Sequence, residues 1–163
     1  SCSSLTKTPD LPATKLAQRC YSQMFSNCTS LTQISELAAT ELSDRCYSGL
    51  FDGCSSITQA PELPAIELKA WCYFEMFKNC SNLTQAPELP ATTLANSCYS
   101  RMFQYCSKLN YIKCYATDTS TPYAFSPSLQ YVSSTGDFYK VENTEYKNGI
   151  NGIPTGWTVH IIE

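Results

Sequence analysis

The chain has 163 residues, of which 43% are hydrophobic and 15% are charged, a composition typical of a folded protein. Its net charge of −3 at pH 7 argues against nucleic-acid binding, which needs a basic surface. No apolar stretch approaches the roughly 20 residues of a membrane-spanning helix, and no signal peptide stands at the start. We therefore expect no transmembrane segment, a processed end at Ser1, and any signal or lipid anchor outside the sequence.

A sequence repeat organises the first two thirds of the chain. Its register is set by a cysteine at every twenty-sixth position, namely Cys2, Cys28, Cys54, Cys80 and Cys106. A fixed period of this length is typical of a solenoid, whose units are too small to bury their own apolar surface and stack on one another. We predict such a stack over residues 1–116, with a partial repeat at Cys106, and a separate C-terminal segment over residues 117–163.

The first half of each unit predicts a short strand. In the fourth unit, which spans 80–105, apolar residues recur at Leu83, Ala86 and Leu89. Proline cannot donate a hydrogen bond to a sheet, so Pro87 and Pro90 limit this strand to a few residues.

The second half of each unit predicts a helix. Leu94, Cys98 and Met102 are spaced i, i+4, i+8, which favours an apolar stripe on a helix of about three turns. Parallel strands stack at about 4.8 Å and packed helices at about 8–10 Å. We therefore expect a curved stack with the strands on its concave face and the helices on its convex face.

The repeat also resembles a known family. The pattern C-x-x-L-x-x-A-P-x-L-P-A-x-x-L-x-x-x-C-Y-x-x-M-F-x-x-C, as it stands in 80–106, resembles the BspA-like leucine-rich repeats of surface proteins from anaerobic gut and oral bacteria. The segment from Gly152 to Val159 is similar to the C-terminal part of such proteins. The second unit departs from the pattern, with Ser35 and Ala38 in place of proline and Leu50 in place of methionine.

This resemblance implies a fold and a location. The fold expected is an α/β, right-handed leucine-rich repeat solenoid, with short parallel strands on the concave face and helices on the convex face, closed by a small β-rich C-terminal cap. The resemblance further implies a secreted or cell-surface protein that takes part in adhesion or ligand binding. It implies no catalytic residue, because the shared motif is a packing motif.

The ten cysteines allow three interpretations. An even number in an exported chain suggests disulfides. However, the repeat gives all thiols of one column the same surroundings, and pairing them two by two would break that equivalence. Both cysteine positions of a unit fall on its inward-facing apolar stripe, where a free cysteine acts as a small buried hydrophobe. We therefore favour reduced thiols. Metal binding is the weakest interpretation, because there is no C-x-x-C and His160 is the sole histidine.

The C-terminal segment predicts short strands at 129–132, 137–141 and 157–161, joined by tight turns. A stack of repeats has an open hydrophobic end, which this segment is expected to cover. Its aromatic residues are explained either by that role or by a platform on which sugar rings stack.

Two polar columns are candidate binding surfaces. The first contains Gln33, Gln59, Gln85 and Tyr111, and begins at Lys7. Its amides either contact a peptide or glycan ligand, or have no binding role and form hydrogen bonds with one another. The second contains Glu36, Glu62 and Glu88, and begins at Asp10. Like charges on neighbouring strands repel, so these carboxylates either extend into water or surround a positive group.

The third unit carries two aromatic residues where the other units carry arginine or serine. Trp71 and Phe74 stand on the predicted outer face of the helix. An exposed aromatic pair of this kind marks a contact surface, unless it packs beneath a neighbouring side chain.

No catalytic, cofactor or metal-binding motif is present in the sequence. His160 has no identifiable partner for nucleophilic catalysis, and no glycine-rich phosphate loop occurs. We therefore predict a noncatalytic, secreted or cell-surface protein that mediates protein–protein or host and matrix adhesion. The alternatives are a carbohydrate-binding module and a structural spacer of a bacterial surface protein. The sequence does not determine the ligand or the oligomeric state.

Overall fold

The computed structural model of the chain describes residues 2–162. Ser1, at which a processed end is predicted, and Glu163 lie outside the described residues. Three strands form one parallel sheet in the order β1-β2-β3, and one short 3-10 helix precedes the last strand. The strands are β1, Tyr111–Cys114, β2, Gly136–Lys140, and β3, Trp157–Ile161, and the 3-10 helix is Gly149–Asn151.

The predicted α/β leucine-rich repeat solenoid with a helical convex face is wrong. Residues 2–162 contain no α-helix, and the segments expected to be helical, such as 94–105, form consecutive turns instead. Most of the described chain is turn and loop. The predicted strands of the repeat units are reduced to isolated bridges, and regular strands occur after residue 110 alone.

The backbone explains why no helix forms. In the first unit every fourth residue has a positive φ, at Arg19 (59°), Gln23 (57°) and Asn27 (58°), outside the right-handed helical region. The N–H of Ser22 closes a tight turn onto the carbonyl of Arg19 at 3.1 Å. The next N–H, however, points to the following unit, as in Gln23 N to Ser48 O at 2.8 Å. Alternate N–H groups therefore bond between units rather than along a helix.

The repeat interval also appears in the bridges between units. Lys7 pairs with Gln33, Gln59 with Gln85, and Gln85 with Tyr111, in each case in parallel and one full repeat apart. Residues at equivalent positions of successive units consequently lie directly beside one another. Each position of the repeat becomes a column of side chains that runs from unit to unit.

Columns of identical residues form the core. The rings of Tyr47, Tyr73 and Tyr99 stack with centroids 5.9 Å apart, and those of Phe51 and Phe77 lie 5.5 Å apart. These spacings are shorter than the roughly 8–10 Å that separates packed helices. The difference in width between helices and strands, which was the reason to expect a concave and a convex face, is therefore absent.

All ten cysteines are free thiols, and eight of them are buried. Cys2 and Cys20 are exposed, contrary to the expectation that both positions face inward, because a single neighbouring unit covers the first unit. The thiols of Cys54, Cys80 and Cys106 donate to the carbonyls of Phe25, Phe51 and Phe77, at 3.0, 3.2 and 3.0 Å. These three thiols thus each donate to a carbonyl 29 residues earlier in the chain.

The C-terminal segment has strands close to two of the three predicted positions, 137–141 and 157–161, and differs at the third. Residues 129–132 form turns rather than a strand, and the sheet is parallel throughout. The hydrogen bonds between units continue here, since Tyr99 N donates to Ala124 O and Tyr105 N to Gln130 O, both at 2.9 Å. Phe125 packs edge-on against Tyr99, Phe138 and Tyr146, which brings the C-terminal aromatic residues against the repeat core.

We predict that the protein loses stability in alkaline solution. Burial raises the pKa of Cys46 from 9.0 to about 11 and that of Cys54 and Cys98 to about 12. Above pH 9 the unfolded chain releases these protons first, so the folded state binds more protons and its stability falls as pH rises. Each such thiol lowers the free energy of unfolding by about 1.4 kcal/mol per pH unit, from pH 9 up to its folded pKa. Urea unfolding at pH 8, 9 and 10 measures the slope.

The matched control for this experiment is Cys54→Ala. This variant is less stable at pH 8 because it leaves a small cavity, but its stability should fall less steeply with pH, by about 1.4 kcal/mol per unit. Equal slopes for the variant and the original chain would contradict the assignment to buried thiols.

We also predict that Tyr73→Phe stabilises the protein. The Tyr73 hydroxyl is buried and has no hydrogen-bond partner among residues 2–162, whereas its ring stacks on both neighbours. Removal of an unsatisfied buried hydroxyl should raise the free energy of unfolding by about 1 kcal/mol. Tyr21→Phe, at the half-buried equivalent position, serves as the control and should change it little. A loss of stability in Tyr73→Phe would mean that the hydroxyl is satisfied.

Candidate binding surfaces

The two predicted polar columns lie side by side. Gln59, Glu62, Gln85 and Glu88 are all exposed, and together they line one shallow recess of about 270 Å³. We name this surface the strand face, and define it by Lys7, Gln33, Glu36, Gln59, Glu62, Gln85, Glu88, Tyr111, Lys113, Asp137, Tyr139 and His160. The structure thus joins the amide column and the acidic column into one surface.

The strand face continues through the three strands. Gln85 bridges to Tyr111, which pairs with Asp137, so the amide column extends into β1 and β2. Leu89 pairs with Cys114 rather than with the residue one full repeat later, so the chain is one residue shorter here than the repeat. Because of this shortening, Lys113 stands next in line after Glu88.

Lys113 reverses the charge of the acidic column. Its Nζ lies 3.0 Å from Glu88 Oε1, and the Tyr115 hydroxyl donates to Glu88 Oε2 at 3.4 Å. Tyr115 and Glu88 raise the pKa of Lys113 above its ordinary value. No ion pair involving Glu36 or Glu62 occurs within residues 2–162, so their carboxylates remain available to a ligand.

An aromatic group completes the strand face at its C-terminal end. The rings of Tyr111 and Tyr139 are 5.2 Å apart and tilted by 40°, and Tyr139 stacks on His160 at 4.5 Å. His160 Nε2 lies 2.7 Å from Asp137 Oδ1. Sequence reasoning did not place Lys113, Asp137, Tyr139 and His160 on this surface. The repeat ends before them, and the turn residues between the strands do not reveal that the strands pair in parallel.

Trp71 and Phe74 lie together, away from the strand face. Their ring centroids are 5.0 Å apart, and both side chains are half-buried rather than fully exposed. The Arg45 guanidinium lies 4.6 Å above the indole ring, and that of Arg101 lies 5.9 Å from the Phe74 ring. The pair is therefore held between two cationic side chains, each in a position to make a cation–π contact.

A groove opens beside this pair. It holds about 670 Å³, and Trp71, Phe74, Arg101, Tyr123 and Pro127 form its walls. Ser97 and Ser100 form its floor. Tyr123 is 72% exposed, so the groove is open to large ligands. None of its lining residues belongs to the strand face, and the two surfaces are therefore separate.

Two further findings concern metals and membranes. Within residues 2–162, no group of three histidine, cysteine, aspartate or glutamate side chains is arranged to hold a metal ion. No helix of this region has the length and the hydropathy needed to cross a bilayer.

Comparison with known proteins adds no relative. No protein-family model matches the chain, and neither a curated protein nor a solved structure matches it. The resemblance to BspA-like repeats thus stays a prediction from the sequence, and the surfaces described above are the basis for a functional proposal.

Proposed function

We propose that this protein is a noncatalytic adhesion module of the cell surface or the extracellular space, and that it binds a protein ligand through the strand face. The observation that carries this proposal is the continuity of two polar columns across successive units, which gives a long, open surface. Enclosed pockets for small ligands hold about 300–1,000 Å³. The recess on the strand face holds about 270 Å³, so a ligand lies on this surface rather than within it.

The charge and chemistry of the strand face favour a basic, extended segment of the ligand. Glu36 and Glu62 offer carboxylates without an internal partner, as described above, and Gln59 and Gln85 offer amide donors and acceptors beside them. Complementary charges raise the rate of association and select among partners. The rings of Tyr111 and Tyr139 supply the aromatic contact that protein interfaces favour.

The single histidine supports a binding role rather than catalysis. His160 pairs with Asp137 and stacks on Tyr139, which fixes two rings of the strand face in place. Nucleophilic catalysis needs a hydroxyl or thiol within hydrogen-bond reach of the imidazole. In the described part of the chain, the hydrogen-bond partner of this ring is a carboxylate.

Binding to a panel of purified extracellular-matrix proteins tests the proposal. We expect one or more of them to bind immobilised protein, and the triple variant Glu36→Gln, Glu62→Gln, Glu88→Gln to weaken this binding at least about tenfold, a loss of about 1.4 kcal/mol. Tyr111→Ala with Tyr139→Ala should weaken it through lost ring contacts. Biolayer interferometry at two salt concentrations measures both effects.

The control is a second triple variant, Glu67→Gln, Glu142→Gln, Glu145→Gln, which removes the same charge from exposed residues outside the strand face. This variant should bind like the original chain. If both triple variants weaken binding equally, net charge and not the strand face is responsible. If no matrix protein binds, the proposal of adhesion through this surface is wrong.

A further inference from the structure

The groove beside Trp71 is formed by two columns of side chains. Trp71, Ser97 and Tyr123 occupy the same position of successive units, so a small residue stands between two aromatic residues. Phe74, Ser100 and Ser126 occupy a second position and also line the groove. Ser97 and Ser100 are buried, with 2% and 6% of their surface exposed, so the larger side chains provide the surface that a ligand can reach. The groove is thus built from residues of the stack.

The groove offers aromatic surface to a ligand ring. Trp71 and Phe74 are half-buried and Tyr123 is 72% exposed, and all three line the groove. A ring that lies on one of them with its centroid about 4.5–7 Å away makes a favourable contact.

The charged side chain in the lining of the groove is cationic. Arg101 lines the groove, no carboxylate stands among the described residues that line it, and Arg45 lies 4.6 Å from the centre of the Trp71 ring. Lys78 Nζ lies 3.0 Å from Glu75 Oε1 and Arg101 Nη1 lies 3.3 Å from the same oxygen. A guanidinium has five N–H donors in a planar fork, so Arg101 retains donors for a second, ligand carboxylate.

One polar side chain of the groove can be reached by a ligand. Ser97 Oγ donates to Asn96 Oδ1 at 2.8 Å and Ser100 Oγ donates to Ser126 O at 2.6 Å, and both serines are buried. Asn96 is exposed and lines the groove, so its amide N–H groups can donate to a ligand hydroxyl. A pyranose has a face of C–H bonds that packs on aromatic rings and hydroxyls at its edge that meet such a polar group.

From these features we propose that the groove lined by Trp71, Phe74, Arg101 and Tyr123 binds a carboxylate-bearing pyranose, such as a hexuronic acid unit of an acidic polysaccharide. The pyranose packs on the aromatic rings, one of its hydroxyls accepts from the Asn96 amide, and its carboxylate pairs with Arg101. This site is independent of the protein-binding role proposed for the strand face.

Titration with trigalacturonic acid and with its neutral methyl ester tests this proposal. Trp71 is half-buried while Trp157 is buried, with its Nε1 donating to Ser133 O at 2.8 Å, so a fluorescence change on binding reports on Trp71. We expect saturable binding of the acid with a Kd of about 1 mM, and binding of the ester at least about fivefold weaker.

Three variants assign the effect to the groove. Tyr123→Ser, which introduces the residue found at the equivalent position 97, removes an exposed aromatic ring of the groove and should weaken binding of the acid at least about fivefold. Arg101→Gln, which introduces the residue found at the equivalent position 23, should remove the preference for the acid alone. Tyr111→Ser on the strand face should bind like the original chain. Circular dichroism and thermal unfolding confirm that each variant folds, and Arg101→Gln keeps the test decisive if Tyr123→Ser does not fold.

Three outcomes would overturn the proposal. The first is no change in fluorescence or in isothermal titration heat with either saccharide up to about 20 mM, far above the expected Kd. The second is binding of the acid that is unchanged in Tyr123→Ser. The third is tighter binding of phenylacetate than of trigalacturonic acid, which would assign the groove to an aromatic carboxylate, such as a peptide terminus.

Discussion

The structure depends on backbone hydrogen bonds between neighbouring units, whose donors and acceptors lie about one repeat apart in the sequence. In the turn segments alternate N–H groups donate to the following unit, as Tyr47 N does to Cys72 O at 3.0 Å. These bonds fix the register between units, and the register decides which side chains meet. Because each residue stacks on its equivalent, a change at one position alters a column and not an isolated site. Core and binding surfaces therefore arise from the same constraint.

This backbone carries a local energetic penalty. Among residues 2–162, thirteen residues other than glycine have positive φ, and the left-handed region costs about 1–2 kcal/mol for each of them. The penalty is offset by burial, since the units enclose columns of tyrosine, phenylalanine and leucine, and by hydrogen bonds between the units. The second unit places glycine at two such positions, Gly49 and Gly53, where the first unit carries Gln23 and Asn27. Stability thus comes from contacts between units rather than from the backbone conformation that each residue prefers.

The sequence predicts contacts between units better than it predicts conformation within a unit. A repeat of identical letters places Gln59 beside Gln85 whatever the backbone does, and the two polar columns follow from that alone. The helix was wrong because Leu94, Cys98 and Met102 recur at intervals of four, whereas a helix of 3.6 residues per turn shifts them by about 40° at each step. A strict interval of four also fits consecutive turns. Beyond Leu109 the cysteine and leucine positions of the repeat are lost, but Gln130 and Tyr131 still repeat Gln104 and Tyr105 at the interval of 26, and Tyr105 stacks on Tyr131 at 4.8 Å.

The candidate sites lie where the columns change. A uniform column presents the same group to every part of a ligand and cannot define a single position for it. The shortening by one residue between Leu89 and Cys114 brings Lys113 into the acidic column, which gives the strand face a direction from negative to positive charge. Likewise, the third unit replaces the arginine and serine of the first two units by Trp71 and Phe74, which form part of the groove. In a stack held together by repetition, recognition of a specific ligand requires such interruptions, and the backbone register preserves the stack while the side chains vary.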